Sequence, residues 1–316
     1  MSPPIDALII GGGPAGLTTA LTLARQIQSS IIFDDGIYRN KLSNDMHMML
    51  TADHEDPATF RAKARENLLS RYDFVKIEET RIVSVKKIDG GFEAEDEEGK
   101  TWQGKKLVLA TGVEDIYPDI EGYGECWATG IYHCFFCKGY EDRGAASSGL
   151  LAVDMLAQIP YAMHAARHAT PLSKKVVIYT HGNADLAAQF EAAFHGAPAF
   201  STNPKVISKL TKGPSGGEVT LHFSDGTSTT EAFLGHAPLT RAKGPFAEQL
   251  GLEVGPMGDL VVKPPFQQTS VKGVFAAGDC SSPFKIAPNA QFTGSLAGAG
   301  VSSQIIAEAL RQPSMV

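Results

Sequence analysis

Two cysteines separated by two residues, Cys134 and Cys137, are the most chemically suggestive feature of a chain that has only four cysteines. That spacing lets the sulfurs meet across a tight turn or a helix start, where backbone dipoles also favour thiolate, so the pair can open and close a disulfide. The competing reading is two thiols packed as small hydrophobes. Cys126 and Cys280 stand alone without a second CxxC beside them, so a four-ligand structural zinc site is not expected and no metal is assigned. Both are read as packing residues. A thiol pair that cycles needs a proton acceptor, and His133 beside Cys134 is the first candidate, with His47 and His54 as others. Lys138, next to Cys137, can lower a neighbouring thiol pKa or simply be a solvated charge.

The second motif able to do chemistry is Gly11-Gly12-Gly13-Pro14-Ala15-Gly16. Glycines in a G-x-G-x-x-G array permit a tight turn, let the backbone approach a pyrophosphate and let the following helix pack on the sheet. The apolar run at residues 7–10 precedes the array and helix formers at 17–24 follow it. A second apolar run, 30–33, ends at Asp34, which lies 18 residues beyond Gly16. This is the place of an acid that binds a ribose, with Asp35 a close rival. The whole reads as a strand–turn–helix–strand unit for a dinucleotide.

The elements that position these residues follow from periodicity. A helix is expected over 58–72 behind the cap-like Asp56-Pro57, then strands over 75–88, 91–95 and 105–109 that end in Ala110-Thr111-Gly112. Pro118 and the glycines at 122 and 124 mark a crossing into another domain. Beyond it come a strand at 150–153, a helix at 155–168, a strand at 175–179, and shorter strands near 206, at 219–223 and at 231–234. Near the end, a buried strand runs into Gly278-Asp279, and a helix rich in small residues covers 291–310. Length favours two domains. The net charge is -7 and basic residues are dispersed, which excludes a nucleic-acid partner as an expectation. No apolar segment reaches membrane-spanning length, and Met1 to Asp6 carries no basic region followed by an apolar run, so the chain is expected to be cytoplasmic and without a membrane partner.

Taken in order, the glycine array, Ala110-Thr111-Gly112, His133-Cys134-x-x-Cys137 and Gly278-Asp279 before a terminal helix resemble the low-molecular-weight thioredoxin reductase group. The resemblance runs along nearly the whole chain. It implies an α/β fold of two Rossmann-like (three-layer ββα) domains. A discontinuous FAD-binding domain, 1–116 and 246–316, would surround an inserted NADPH-type domain, 117–245, that carries the CxxC pair. It further implies that Asp279 bonds the ribityl chain of FAD, that Cys137 lies nearer the flavin and Cys134 exchanges with substrate, and that the protein is a homodimer.

The inserted domain departs from that pattern. Its first strand runs into Asp154-Met155-Leu156-Ala157-Gln158-Ile159-Pro160 with no glycine, and the next runs into Thr180-His181-Gly182-Asn183-Ala184-Asp185 with no arginine. Side chains would crowd a pyrophosphate, Asp154 would repel it, and nothing would grip a 2'-phosphate. NADPH is therefore expected to bind poorly or not at all. A preserved FAD domain with a degenerate NADPH site is similar to the dithiol oxidases that close the disulfides of gliotoxin and holomycin. Cys134-Phe135-Phe136-Cys137-Lys138-Gly139-Tyr140-Glu141 resembles that group's Cys-x-Phe-Cys-x-Gly-Tyr-Glu segment, and Tyr38-Arg39-Asn40 is also similar to it. Lys138 stands where thioredoxin reductases usually have an acid. The resemblance implies a small-molecule dithiol substrate of the epidithiodiketopiperazine type, dioxygen as electron acceptor, and Arg39 and Asn40 among the cofactor-binding residues. The competing reading is an NADPH-dependent reductase of a thioredoxin-like protein.

Overall fold

The computed structural model describes residues 5–316. Met1 to Pro4, part of the stretch searched for a leader, lie outside the described residues. The chain divides into two units. The first takes the described residues up to Lys41, then Met49–Glu114 and Thr240–Val316; the second takes Leu42–Met48 and Asp115–Leu239.

In the first unit a parallel sheet runs in the order Val75–Glu78, Ser30–Phe33, Ile5–Ile10, Thr101–Leu109, with Val274–Ala276 paired to the last of these. The near-continuous apolar runs of the central strands fit a sheet covered on both faces. Ala7, Leu8, Ile9, Leu107 and Val108 are fully buried. Thr101–Leu109 is long enough to do two jobs, and its first half pairs antiparallel with Gly91–Asp96, which pairs in turn with Ile82–Ile88. On one face lie the helices Pro14–Ala24 and Ala287–Ala309. They approach so closely that a Cβ on Gly294 would overlap the Ala15 carbonyl and one on Gly298 would press on Thr22. Thr19 Oγ1 donates across the gap to the Gly294 carbonyl at 3.0 Å. The small residues of the last helix are thus what let it lie against the first.

The second unit has a parallel sheet in the order Phe200–Asn203, Val176–Tyr179, Ser148–Leu151, Leu234–Gly235, Ile131–Tyr132, and a separate antiparallel sheet of Ile207–Lys212, Val219–Phe223 and Ser228–Glu231. Helices Ile159–Ala169 and Ala184–Ala193 connect the first three parallel strands in sequence. The expected helix over 155–168 is divided: Asp154–Ala157 form a 3-10 turn, Gln158 is extended, and the helix starts at Ile159 with Pro160 in its first turn. Proline has no N–H to donate to the carbonyl four residues back and its ring crowds that carbonyl, yet it is tolerated in a first turn, so the helix breaks before it and restarts at Ile159. The expected strand over 231–234 is likewise two strands in two sheets, split between Glu231 and Leu234. No helix among the described residues is long and apolar enough to cross a membrane.

Candidate functional site

In the first unit, Gly11 sits at φ +116 and a side chain there would collide with the Ala110 carbonyl oxygen; one on Gly16 would collide with the carbonyl of Gly11. Both positions therefore require glycine. In front of Gly13, by contrast, no atom lies within 4 Å of where a Cβ would be. Gly13 caps helix Pro14–Ala24 without any side chain bonding to its first N–H groups. An uncapped helix N-terminus behind open space is the geometry in which a pyrophosphate is held. Pro14 and Ala15 form the first turn, and Ala15 is buried.

The other predicted positions of this unit gather along the same edge of the sheet. Ala110-Thr111-Gly112 follows the strand Thr101–Leu109, with the Ala110 N–H donating to Ile10 at 2.8 Å and Gly112 at φ +68. Gly278 follows the strand Val274–Ala276 at φ +79, and its N–H donates to Thr293 Oγ1 at 2.9 Å. Asp279 lies 3.7 Å from Arg39, and the Lys285 ammonium pins the same loop through the Asp279 and Ser282 carbonyls and Asp259 Oδ1. Asp34 ends the second strand with its side chain 1% exposed, held by Tyr38 and Arg65. The rival Asp35 is taken up by Lys243 at 2.7 Å. Two clefts open here. One of about 210 Å³ is lined by Gly11, Phe33, Asp35, Thr111 and Lys243, and one of about 630 Å³ by Asp34, Tyr38, Arg61, Arg65 and Arg81. Sequence reasoning missed Arg61, Arg65 and Lys285, whose importance comes from contacts that no local motif announces, and had Tyr38 only as part of a motif, without a role. The glycine cradle, the uncapped helix end and the two acids fit a flavin dinucleotide.

In the second unit, Cys134 and Cys137 are joined in a disulfide across a tight turn, with Cα atoms 5.3 Å apart. The Cys137 N–H donates to Cys134 Sγ at 3.2 Å as well as to the Cys134 carbonyl at 3.1 Å, so a thiolate formed at Cys134 keeps a hydrogen-bond donor. Phe135 turns inward against Phe233, whereas Phe136 stays 63% exposed with its ring 4.9 Å from His168. Gly139, at φ +119, closes the segment. Of the candidate bases, His47 Nδ1 lies 2.6 Å from the Cys137 carbonyl and Nε2 lies 3.3 Å from Glu141. A carbonyl only accepts, so Nδ1 carries a proton, and Nε2 faces a carboxylate. His133 is exposed, with its ring 6.0 Å from Trp127. His54, in the first unit, is 59% exposed beside Asp53. Cys126 and Cys280 are buried, and burial pushes both thiols up to about 11, in keeping with packing residues. Glu141 was legible only as part of a motif, without a role.

The same unit holds the degenerate nucleotide turn. Where a glycine loop would stand, Asp154 adopts φ +49 and opens a 3-10 turn. Burial raises its carboxyl pKa. Behind it, His236 is buried, with Nδ1 2.6 Å from the Tyr123 hydroxyl and Nε2 3.8 Å from Asp154. At the end of the next strand His181 Nδ1 accepts from the Ile207 N–H at 3.1 Å, and Asn183 caps the helix Ala184–Ala193. These contacts place the chain's own side chains at the turn.

Comparison with known proteins agrees with this geometry. The family model described as pyridine nucleotide-disulphide oxidoreductase matches residues 5–158. The chain is 48% identical over 313 residues to "Thioredoxin reductase tcpT" of Claviceps purpurea, covering 98% of this chain and 97% of that one. It is 42% identical to "Thioredoxin reductase sirT" of Leptosphaeria maculans, covering 95% and 94%. Among solved structures, an oxidoreductase from Agrobacterium tumefaciens superposes with a TM-score of 0.83 at 30% identity over 96% of this chain and 99% of that one. The chain thus belongs to the pyridine nucleotide-disulphide oxidoreductase family, among FAD-binding oxidoreductases of the thioredoxin reductase type.

Proposed function

We propose that the protein is an FAD-dependent dithiol oxidase that closes an intramolecular disulfide in a small-molecule dithiol of the epidithiodiketopiperazine type. The observation that carries this reading is the turn at Asp154: a member of a pyridine nucleotide family has a carboxylate side chain, at φ +49 and 3.8 Å from His236, where the nucleotide phosphates would lie. The resemblance of residues 134–141 to the gliotoxin- and holomycin-type oxidases supports the substrate class. The names of the fungal relatives favour the second reading, an NADPH-dependent thioredoxin-disulfide reductase.

Chemistry on the turn is disulfide exchange. A substrate thiolate attacks Cys134 Sγ, the Cys134–Cys137 bond breaks, and Cys137 leaves as thiolate. The second substrate thiolate then attacks the substrate sulfur of the mixed disulfide, releasing Cys134 as thiolate and the cyclic disulfide as product. The Cys137 N–H stabilises that leaving group. His47, anchored to the Cys137 carbonyl and facing Glu141, is the base we assign to receive a thiol proton, in preference to His133, whose ring lies against Trp127. FAD, when bound, supplies the two-electron acceptor that restores the disulfide, with dioxygen as terminal oxidant and hydrogen peroxide as its product.

Replacing Cys137 by Ser is expected to leave FAD bound, abolish catalytic disulfide formation and leave Cys134 as the only redox thiol of the turn. Undiminished turnover of a small dithiol by that variant would rule out the assignment.

A further inference from the structure

Asp34 and Asp279 come from distant parts of the sequence, and in the reading above they meet opposite halves of FAD, the ribose of its AMP half and the ribityl chain of its flavin half. Tyr38-Arg39-Asn40 reaches both. Asp34 Oδ1 accepts from the Gly36 N–H at 3.0 Å, a turn that Gly36 allows by adopting φ +70. The turn carries the chain back so that the Tyr38 hydroxyl donates to Asp34 Oδ2 at 2.6 Å, the same oxygen that Arg65 binds. Arg61, itself buried, lays its guanidinium 3.7 Å over the Tyr38 ring and donates to Asn40 Oδ1 at 3.2 Å. The next side chain, Arg39, faces Asp279 at 3.7 Å.

We propose that Tyr38-Arg39-Asn40 is a latch that couples the two acids, so that FAD is bound through both halves cooperatively. Tyr38 and Arg39 are positioning residues in this account: one orients Asp34, the other Asp279, and Arg61 with Asn40 holds the tripeptide in the conformation that serves both. The hold on Asp34 supports the division of labour. Oδ2 of Asp34 is held by Tyr38 and Arg65 and Oδ1 by the Gly36 N–H, so the carboxylate is fixed in orientation by the chain itself. A preoriented acceptor loses less freedom on binding than one that must be ordered by the ligand. Burial, reinforced by the Asp34 hydrogen bond, pushes the Tyr38 phenol up to about 12, so it remains a donor throughout the physiological range.

The inference rests on the assignment of Asp34 and Asp279 to FAD, and its test separates the two. Apoprotein is titrated with FAD, following the quenching of flavin fluorescence, for wild type, Tyr38→Phe, Asp34→Asn and the double variant. The same set is made for Arg39→Met with Asp279→Asn, and for Tyr38→Phe with Arg39→Met. Tyr38→Phe is expected to weaken FAD binding by about tenfold, the scale of one hydrogen bond to a charged group. In the Asp34→Asn background it adds no further loss. Tyr38→Phe and Arg39→Met together weaken binding by clearly less than the product of their separate effects, because either one opens the latch. If Asp34→Asn weakens FAD but Tyr38→Phe does not, or if Tyr38→Phe and Arg39→Met multiply independently, the latch is overturned while the acid assignment stands. If Asp34→Asn leaves FAD affinity unchanged, the assignment of the acid fails and the latch with it.

Discussion

Replacing His236 by Gln should flatten the acid sensitivity of the second unit. The His236 ring is fully buried, its Nδ1 meets the Tyr123 hydroxyl at 2.6 Å, and Nε2 has no hydrogen-bond partner of acceptable geometry among the described residues. The acceptors nearest Nε2, the Val153 carbonyl and Asp154, select the tautomer in which the proton is on Nε2 and the tyrosine donates to Nδ1. A second proton would place a charge in a dry core, so burial lowers the pKa from 6.5 to about 4, with the Val153 carbonyl acting in the opposite direction. Above pH 6.5 the residue is neutral in both folded and unfolded chains and contributes no pH dependence. As pH falls below 6.5, only the unfolded chain takes up the proton, so stability is lost steadily down to about pH 4. At about 1.4 kcal/mol per pH unit, the loss reaches about 3 kcal/mol. Buried Glu231 has a raised pKa and works with the opposite sign, its destabilisation relaxing as the pH drops, but it is common to both proteins and cancels in the comparison.

Gln keeps an acceptor for Tyr123 and does not titrate. The assay is urea unfolding between pH 7 and pH 4, followed by tryptophan fluorescence. The chain has two tryptophans, and a Trp102→Phe background leaves Trp127, which stacks on Tyr123, as the only reporter. His236→Gln is expected to lose about 3 kcal/mol less than its parent over this range. Parallel pH profiles for the two proteins would refute the argument.

Two further outcomes follow from named contacts. His47→Ala should lower kcat for dithiol oxidation by about a hundredfold with a smaller effect on KM; an unchanged kcat would transfer the base role elsewhere. Gly294→Val should destabilise the first unit by about 3 kcal/mol in thermal or chemical unfolding, because its side chain would be driven into the Ala15 backbone. A near-neutral effect would mean that the two helices can separate freely.

The first dinucleotide turn could be read from the sequence because its chemistry is local: three glycines are needed by sterics within a few residues, and the flanking strand and helix have clear apolar patterns. The CxxC turn was legible for the same reason. What escaped depends on distance along the chain. Ile131–Tyr132 is a two-residue strand, too short for any periodicity, and exists because the sheet of the second unit accepts it. Helix Ala184–Ala193 has no counterpart in the sequence reading, although Asn183 accepts from the Leu186 N–H at 2.9 Å as a cap. The grouping of Leu42–Met48, and with it His47, into the second unit is a long-range choice no local pattern encodes. Asp34 is legible by its spacing, but its pairing with Tyr38 and Arg65 is not, because a turn and a helix have to fold before they meet it.

The proposed electron path is tested most directly by following the flavin absorbance of the purified holoprotein without air, while adding either NADPH or dithiothreitol. Dithiothreitol is expected to bleach the flavin, admission of air to restore it, and NADPH to leave the spectrum unchanged. Rapid bleaching by NADPH, or a flavin that no dithiol reduces, would contradict the account.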